Sequence, residues 1–118
     1  MKTALITGAS RGIGAAIALK LSRDGFYTII DYNSNNELAE KIAQKTGGLA
    51  VRADVSDRQQ VESMIKLVNE KAGGIDVLVN NAGISVSGLF TDITPEQEQR
   101  LWGINVGGTF NCTKAVLP

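Results

Sequence analysis

The stretch Lys2-Thr-Ala-Leu-Ile-Thr-Gly-Ala-Ser-Arg-Gly-Ile-Gly14 constrains this chain more than any other. A short apolar run, Ala4-Leu5-Ile6, reads as a strand and stops at Thr7-Gly8. Gly12 and Gly14 follow, and a helical pattern then begins. Glycine permits a tight turn at positive φ and leaves room for a ligand to touch backbone. The start of the helix offers unpaired N–H groups and the positive end of its dipole to an anion. Strand, glycine turn and helix in this order predict a phosphate site, and the expected occupant is a dinucleotide.

The rest of the chain repeats the alternation. A helix is expected from about Gly12 to Arg23, with Ile13, Ile17 and Leu21 as its apolar stripe, Ala15, Ala16 and Ala18 allowing close packing, and Gly25 ending it. Phe26-Tyr-Thr-Ile-Ile-Asp31 is a near-continuous apolar run, the mark of a strand covered on both faces. Ser34 and Glu37 predict a capping box and a helix to about Lys45, with Leu38 and Ile42 inward and Gly47-Gly48 as its stop. Leu49 to Ala53 is the third strand, ending at Asp54. Ser56 and Gln59 predict a second capping box, on a helix with Val61, Met64, Ile65, Val68 and Ala72 on one face and Gly73-Gly74 behind it. Asp76-Val-Leu-Val-Asn80 is the fourth strand and runs into Asn81-Ala82-Gly83. A loop through Phe90 leads to Thr94-Pro95, a cap followed by the residue best suited to the first helical position.

Strands joined by helices over short connections require a parallel sheet with right-handed crossovers. The prediction is an α/β, doubly wound parallel sheet of order 3-2-1-4, its ligand at the carboxyl ends of the strands where the order reverses. With no linker, repeat or low-complexity tract, residues 1–118 read as one domain.

Composition narrows the function. Lys+Arg and Asp+Glu both number 12, so no basic field argues for nucleic acid or a membrane surface. A single cysteine and no histidine argue against a disulfide framework and a zinc site. The leading apolar run is far too short for a signal peptide or a membrane span, and the expected location is the cytoplasm. A P-loop is excluded because no Gly-Lys-Ser/Thr follows at the required spacing.

Thr7-Gly-Ala-Ser-Arg-Gly-Ile-Gly14, Asp54-Val55, Asn80-Asn-Ala-Gly83 and Asn105, in this order and spacing, resemble the short-chain dehydrogenase/reductase family. Asn105-Val-Gly-Gly-Thr-Phe-Asn-Cys-Thr-Lys-Ala-Val116 is similar in wording to its 3-oxoacyl-acyl-carrier-protein reductases. The resemblance covers the whole chain, which matches only about the first half of such an enzyme: a Rossmann-type fold cut before its catalytic half. It implies that Gly8, Ser10, Arg11, Gly12, Ile13 and Gly14 cradle the pyrophosphate and adenosine ribose. By the same resemblance Asp54 bonds the adenine amino group with Val55 beside the ring. Asn81, Ala82 and Gly83 would line the cofactor ribose, while Asn80 ties backbone together. Asn105 is the one catalytic position present, set in a helix kink. Gly103, Gly107 and Gly108 crowd that segment, and each weakens a helix by about 1 kcal/mol relative to alanine.

Arg11 can meet the 2′-phosphate of NADP. An acid ending the second strand would select NAD instead. Asp31 is a candidate for that acid, but the family's position falls at Tyr32, and one residue of shift turns a strand side chain to the opposite face. NADP(H) is therefore favoured, with NAD(H) the alternative.

The resemblance also implies a Tyr-x-x-x-Lys pair and a serine for catalysis, a small carbonyl or acyl-thioester substrate, and a homo-tetramer whose interface takes Phe110, Val116 and Leu117. The only tyrosines, Tyr27 and Tyr32, are followed four residues on by Asp31 and Asn36. The chain alone is expected to be inactive, with an exposed fourth-strand edge that favours association. A non-catalytic dinucleotide-binding module, a half that complements a second chain, and a truncated gene are the rival readings.

Overall fold

A computed structural model of the protein describes residues 1–85 and 88–117. Its strands are β1 (Thr3–Ile6), β2 (Tyr27–Tyr32), β3 (Leu49–Arg52) and β4 (Val77–Val79). They pair in parallel in the order β3-β2-β1-β4, as predicted. The helices are α1 (Gly12–Arg23), α2 (Asn36–Thr46), α3 (Arg58–Ala72), α4 (Pro95–Trp102) and α5 (Thr109–Val116). A π-helical segment, Gly103–Gly108, joins the last two. The loop expected through Phe90 includes Val86 and Ser87, which lie outside the described residues.

Alternation along the strands splits the core in two. Leu5 and Ile29 point to one face, where they meet Val61, Met64, Ile65 and Val68 of α3, Ile104 of the π segment and Cys112 of α5. Ala4, Ile6 and Ile30 point to the other, against Ala18 of α1 and Ala39 and Ala43 of α2. Both faces are therefore dry, which explains why β1 and β2 read as continuous apolar runs. Burying each of Leu5, Ile6, Ile29 and Ile30 contributes about 1.5–3 kcal/mol.

Several local expectations are corrected. Ile13 is 74% exposed, whereas Ala15 and Ala18 are buried with Gly14, and Ile17 and Leu21 pack beside them, as expected. Small side chains let that helix approach the sheet closely. The buried residues of α2 are likewise Ala39 and Ala43; Ile42 packs partly and Leu38 is only half-buried. Neither serine makes its predicted capping box. Asn35 is the N-cap of α2, with no side-chain bond. Asp57 caps α3, accepting from the N–H groups of Gln59 and Gln60. In both helices the cap falls one residue later than predicted. Ser56 is committed elsewhere, to Asp54. The Thr94–Gln97 box of α4 does form, with Pro95 in the first turn. In α5, Phe110 and Leu117 are exposed, but Val116 packs on the core.

Candidate functional site

The carboxyl ends of all four strands open into one cleft of about 390 Å³. Gly8, Ser10, Arg11 and Gly12 line it after β1, and Tyr32, Asn33, Ser34 and Asn35 line it at the end of β2. Asp54 and Val55 follow β3; Asn81, Ala82 and Gly83 follow β4; Arg100 of α4 and Ile104 close the far side. Nine of the predicted site residues are thus brought together. Ile13, Gly14 and Asn105 are not part of this lining.

The glycine loop is shaped by close approach as well as by conformation. Gly8 has φ +60°, and a Cβ there would sit 2.8 Å from Ala82 Cα. Gly12, at φ +61°, has open space instead. Gly14 serves packing: a Cβ would fall 2.5 Å from Asn81 Nδ2 and 2.6 Å from the Gly8 carbonyl. Arg11 precedes α1 in extended conformation, no side chain caps the helix, and no acid lies in its first turn. The N–H groups at this helix start are therefore left for an anion.

Thr7, whose role no sequence pattern marks, holds the loop to β4. Its buried Oγ1 accepts from the N–H of Asn81 at 3.0 Å and of Ala82 at 2.9 Å, and donates to the Val79 carbonyl at 3.4 Å. Asn81 Nδ2 in turn donates to the Gly8 carbonyl at 3.1 Å. Asn80 ties β4 to α5 through a side chain, donating to Thr113 Oγ1 at 3.2 Å.

Asp31 also lines the cleft, although it is only 2% exposed. Its Oδ2 accepts from the Gly8 N–H at 3.3 Å, and its Oδ1 has no hydrogen-bond partner. Burial raises its pKa to about 8, against the Gly8 N–H and with help from Asp54, so the carboxyl is mostly protonated at neutral pH. Asp54 is its opposite. Burial pushes its pKa up, but the Ser56 hydroxyl and N–H and the Arg100 guanidinium outweigh that and hold it below the ordinary carboxylate value. Cys112 is fully buried, and desolvation lifts its thiol to about 12, so it stays unreactive.

Behind the far side of the cleft, next to Ile104, Asn105 sits inside the π segment. Its Oδ1 accepts from the Ile84 N–H at 2.8 Å and its Nδ2 donates to the Ile84 carbonyl at 2.9 Å. The side chain thus grips both backbone polar groups of the residue after Gly83. The π segment rests on the turn after β3: a Cβ on Gly108 would lie 2.5 Å from Val55 Cγ2, and Asn111 Nδ2 donates to the Val55 carbonyl at 3.0 Å. The crowding of glycines marked this interruption in the sequence. Its π form is a geometry often found at functional sites.

The family model for short chain dehydrogenase matches residues 2–118. A 3-oxoacyl-[acyl-carrier-protein] reductase of Staphylococcus aureus is 38% identical over 99% of this chain and 50% of its own length. Among solved structures, a mutant of a Serratia marcescens short-chain dehydrogenase/reductase superposes with a TM-score of 0.91 at 31% identity, over 98% of this chain and 49% of that one. A metagenomic blue fluorescent protein in complex with NADPH gives 0.90 at 36% identity, over 98% and 49%. The chain spans about half the length of the curated relatives it matches.

Proposed function

This chain belongs to the short-chain dehydrogenase family, and from that premise we propose that it is the cofactor-binding part of an NADP(H)-dependent oxidoreductase. The observation that carries the reading is the uncapped start of α1, facing Asp54 and Asn81–Gly83 across one cleft. Gly8, Ser10, Arg11, Gly12, Ile13 and Gly14 hold the pyrophosphate end in this proposal, and Asp54 with Val55 takes the adenine. Asn81, Ala82 and Gly83 take the nicotinamide-side ribose, and Asn105 serves the catalytic end. The bound nicotinamide would supply hydride chemistry; the residues described here bind and orient it.

Two features favour the phosphorylated cofactor. Arg11 stands in the glycine loop, exposed at the cleft. The acid nearest the end of β2, Asp31, lines the cleft but is 2% exposed and bonds the Gly8 N–H, while Tyr32 lines the cleft too and donates its hydroxyl to Asn36 Oδ1 at 2.8 Å. A neutral, buried carboxyl offers a 2′-phosphate little repulsion. The similarity to an NADPH complex points the same way.

For the whole protein we propose reduction of a ketone, most specifically a 3-oxoacyl thioester, in the cytoplasm and by a homo-tetramer. The similarity to the Staphylococcus aureus reductase supports the substrate class. Trp102, Val106 and Phe110, exposed four residues apart on the α4–π–α5 arm, support association. The 118-residue chain alone should bind cofactor without turnover. Tyr27 begins β2, at the opposite end of the sheet from the cleft, and neither tyrosine has a lysine four residues on. The same lack of a tyrosine–lysine pair supports a second reading, a dinucleotide-binding module without catalysis. Calorimetric titration with NADPH and NADH tests the shared claim. Tighter NADPH binding is expected, whereas tighter NADH binding or none would overturn it. Steady oxidation of NADPH by an acetoacetyl thioester would refute inactivity. Coding sequence beyond Pro118 that contains Tyr-x-x-x-Lys would decide for the enzyme against the module.

A further inference from the structure

We propose that Arg100 is a positioning residue that fixes the Asp54 carboxylate for an amino-bearing purine, an inference that rests on the nucleotide reading of the cleft. Arg100 lies on α4, on the far wall, and its Nη1 donates to Asp54 Oδ2 at 3.2 Å and to Ser56 Oγ at 3.4 Å. The other carboxylate oxygen, Oδ1, accepts from the Ser56 N–H at 3.0 Å and the Ser56 hydroxyl at 2.7 Å. The Asp54 N–H is itself held, donating to Gln60 Oε1 at 2.9 Å. Backbone and both oxygens are therefore anchored, from two elements far apart in sequence.

A carboxylate has about four acceptor sites, and these bonds occupy three. The remaining one, on Oδ2, belongs to a group that only accepts while it is ionised. It suits the exocyclic N–H of adenine and repels the carbonyl of a 6-oxo purine. Arg100 fixes the direction of that site because it bonds the same oxygen. Stability is a weak explanation for the pair: the two side chains are 49% and 20% exposed, and ion pairs so open to water contribute little. Fixing a rotamer at the edge of a cleft is a different benefit, visible only when a ligand is bound.

The test uses the full 118-residue chain and its Arg100→Ala and Arg100→Lys variants, with thermal melts to verify folding. Titrations compare NADPH with reduced nicotinamide hypoxanthine dinucleotide phosphate, which carries oxygen in place of the amino group, between pH 3 and 8. The wild-type chain should prefer NADPH. Arg100→Ala should weaken NADPH by about three- to tenfold, as expected for a charge-assisted contact, and the hypoxanthine analogue much less. The acid limb of NADPH binding should also move to higher pH, because Asp54 loses a partner that lowers its pKa. Arg100→Lys should restore part of both effects. A folded Arg100→Ala chain with the wild-type preference and the wild-type acid limb overturns the role of Arg100 and leaves the cofactor reading intact. Failure of the wild-type chain to bind NADPH overturns both.

Discussion

The two walls of the cleft are held by different means. On the β1–α1 wall the backbone itself is the device. Gly8 and Gly14 pack so closely against Ala82, Asn81 and each other's neighbours that no Cβ fits, and the buried Thr7 hydroxyl binds two backbone N–H groups. On the far wall an exposed side chain does the holding, with Asn105 gripping Ile84 at two points from a distorted helix. The first wall fails sterically and all at once; the second loosens by hydrogen bonds. A rigid glycine wall facing an adjustable one suits the proposed dinucleotide, with one constant end and one reacting end.

The comparison breaks most readily at Gly8. Gly8→Ala meets both a left-handed φ and the Ala82 backbone, so a loss of about 2–4 kcal/mol is expected. Gly12→Ala meets the same φ with open space and should cost about 1–2 kcal/mol. Urea midpoints measure both. Equal losses would show that the close approach contributes nothing.

The buried acid under the same wall gives the next effect. Asp31 has a folded pKa of about 8 against the ordinary 3.8. Between those values the folded state keeps a proton that the unfolded state has lost, so stability should fall as pH rises from about 4 to about 8 and then level. Asp31→Asn should remove this contribution to the slope while changing stability little at pH 4. A pH-stability profile identical in the two chains would refute the burial argument.

Asn105→Ala tests the other wall. Losing two hydrogen bonds from an exposed amide should cost about 1 kcal/mol. Faster hydrogen exchange should appear at the Ile84 amide, with the glycine loop unaffected. Exchange rising equally at Asn81 and Ala82 would mean that the walls are a single unit. The smallest effect is expected at Ser34, which lines the cleft mouth and caps nothing. Ser34→Ala should stay within about 0.5 kcal/mol, whereas Asp57→Ala should cost about 1 kcal/mol, both read from thermal melts.

What the sequence disclosed follows the same division. The strand order, the bounds of α1 and the glycine stops at Gly47 and Gly73 are local signals, and those glycines do take the left-handed conformation. The caps at Ser34 and Ser56 were misplaced by one residue, because neighbouring polar residues compete for a helix start and tertiary contacts decide. Ile13 fits the spacing of a core stripe yet is exposed, because spacing along a helix does not tell which of its turns is covered. Thr7 and Arg100 were illegible for a stronger reason. Their partners lie 74 and 46 residues away, and nothing in a one-dimensional pattern marks which oxygen a hydroxyl or guanidinium will reach.

Trp102, the only tryptophan, stands on α4 between Arg100 and Asn105 and is 63% exposed. The chain therefore carries an intrinsic optical probe on its adjustable wall, with none on the rigid one. Its emission should shift to the blue when an occupant or a second copy covers that arm, and should stay red-shifted when only the glycine loop is filled. Filling of the cradle and coverage of the arm can thus be followed separately, without a label.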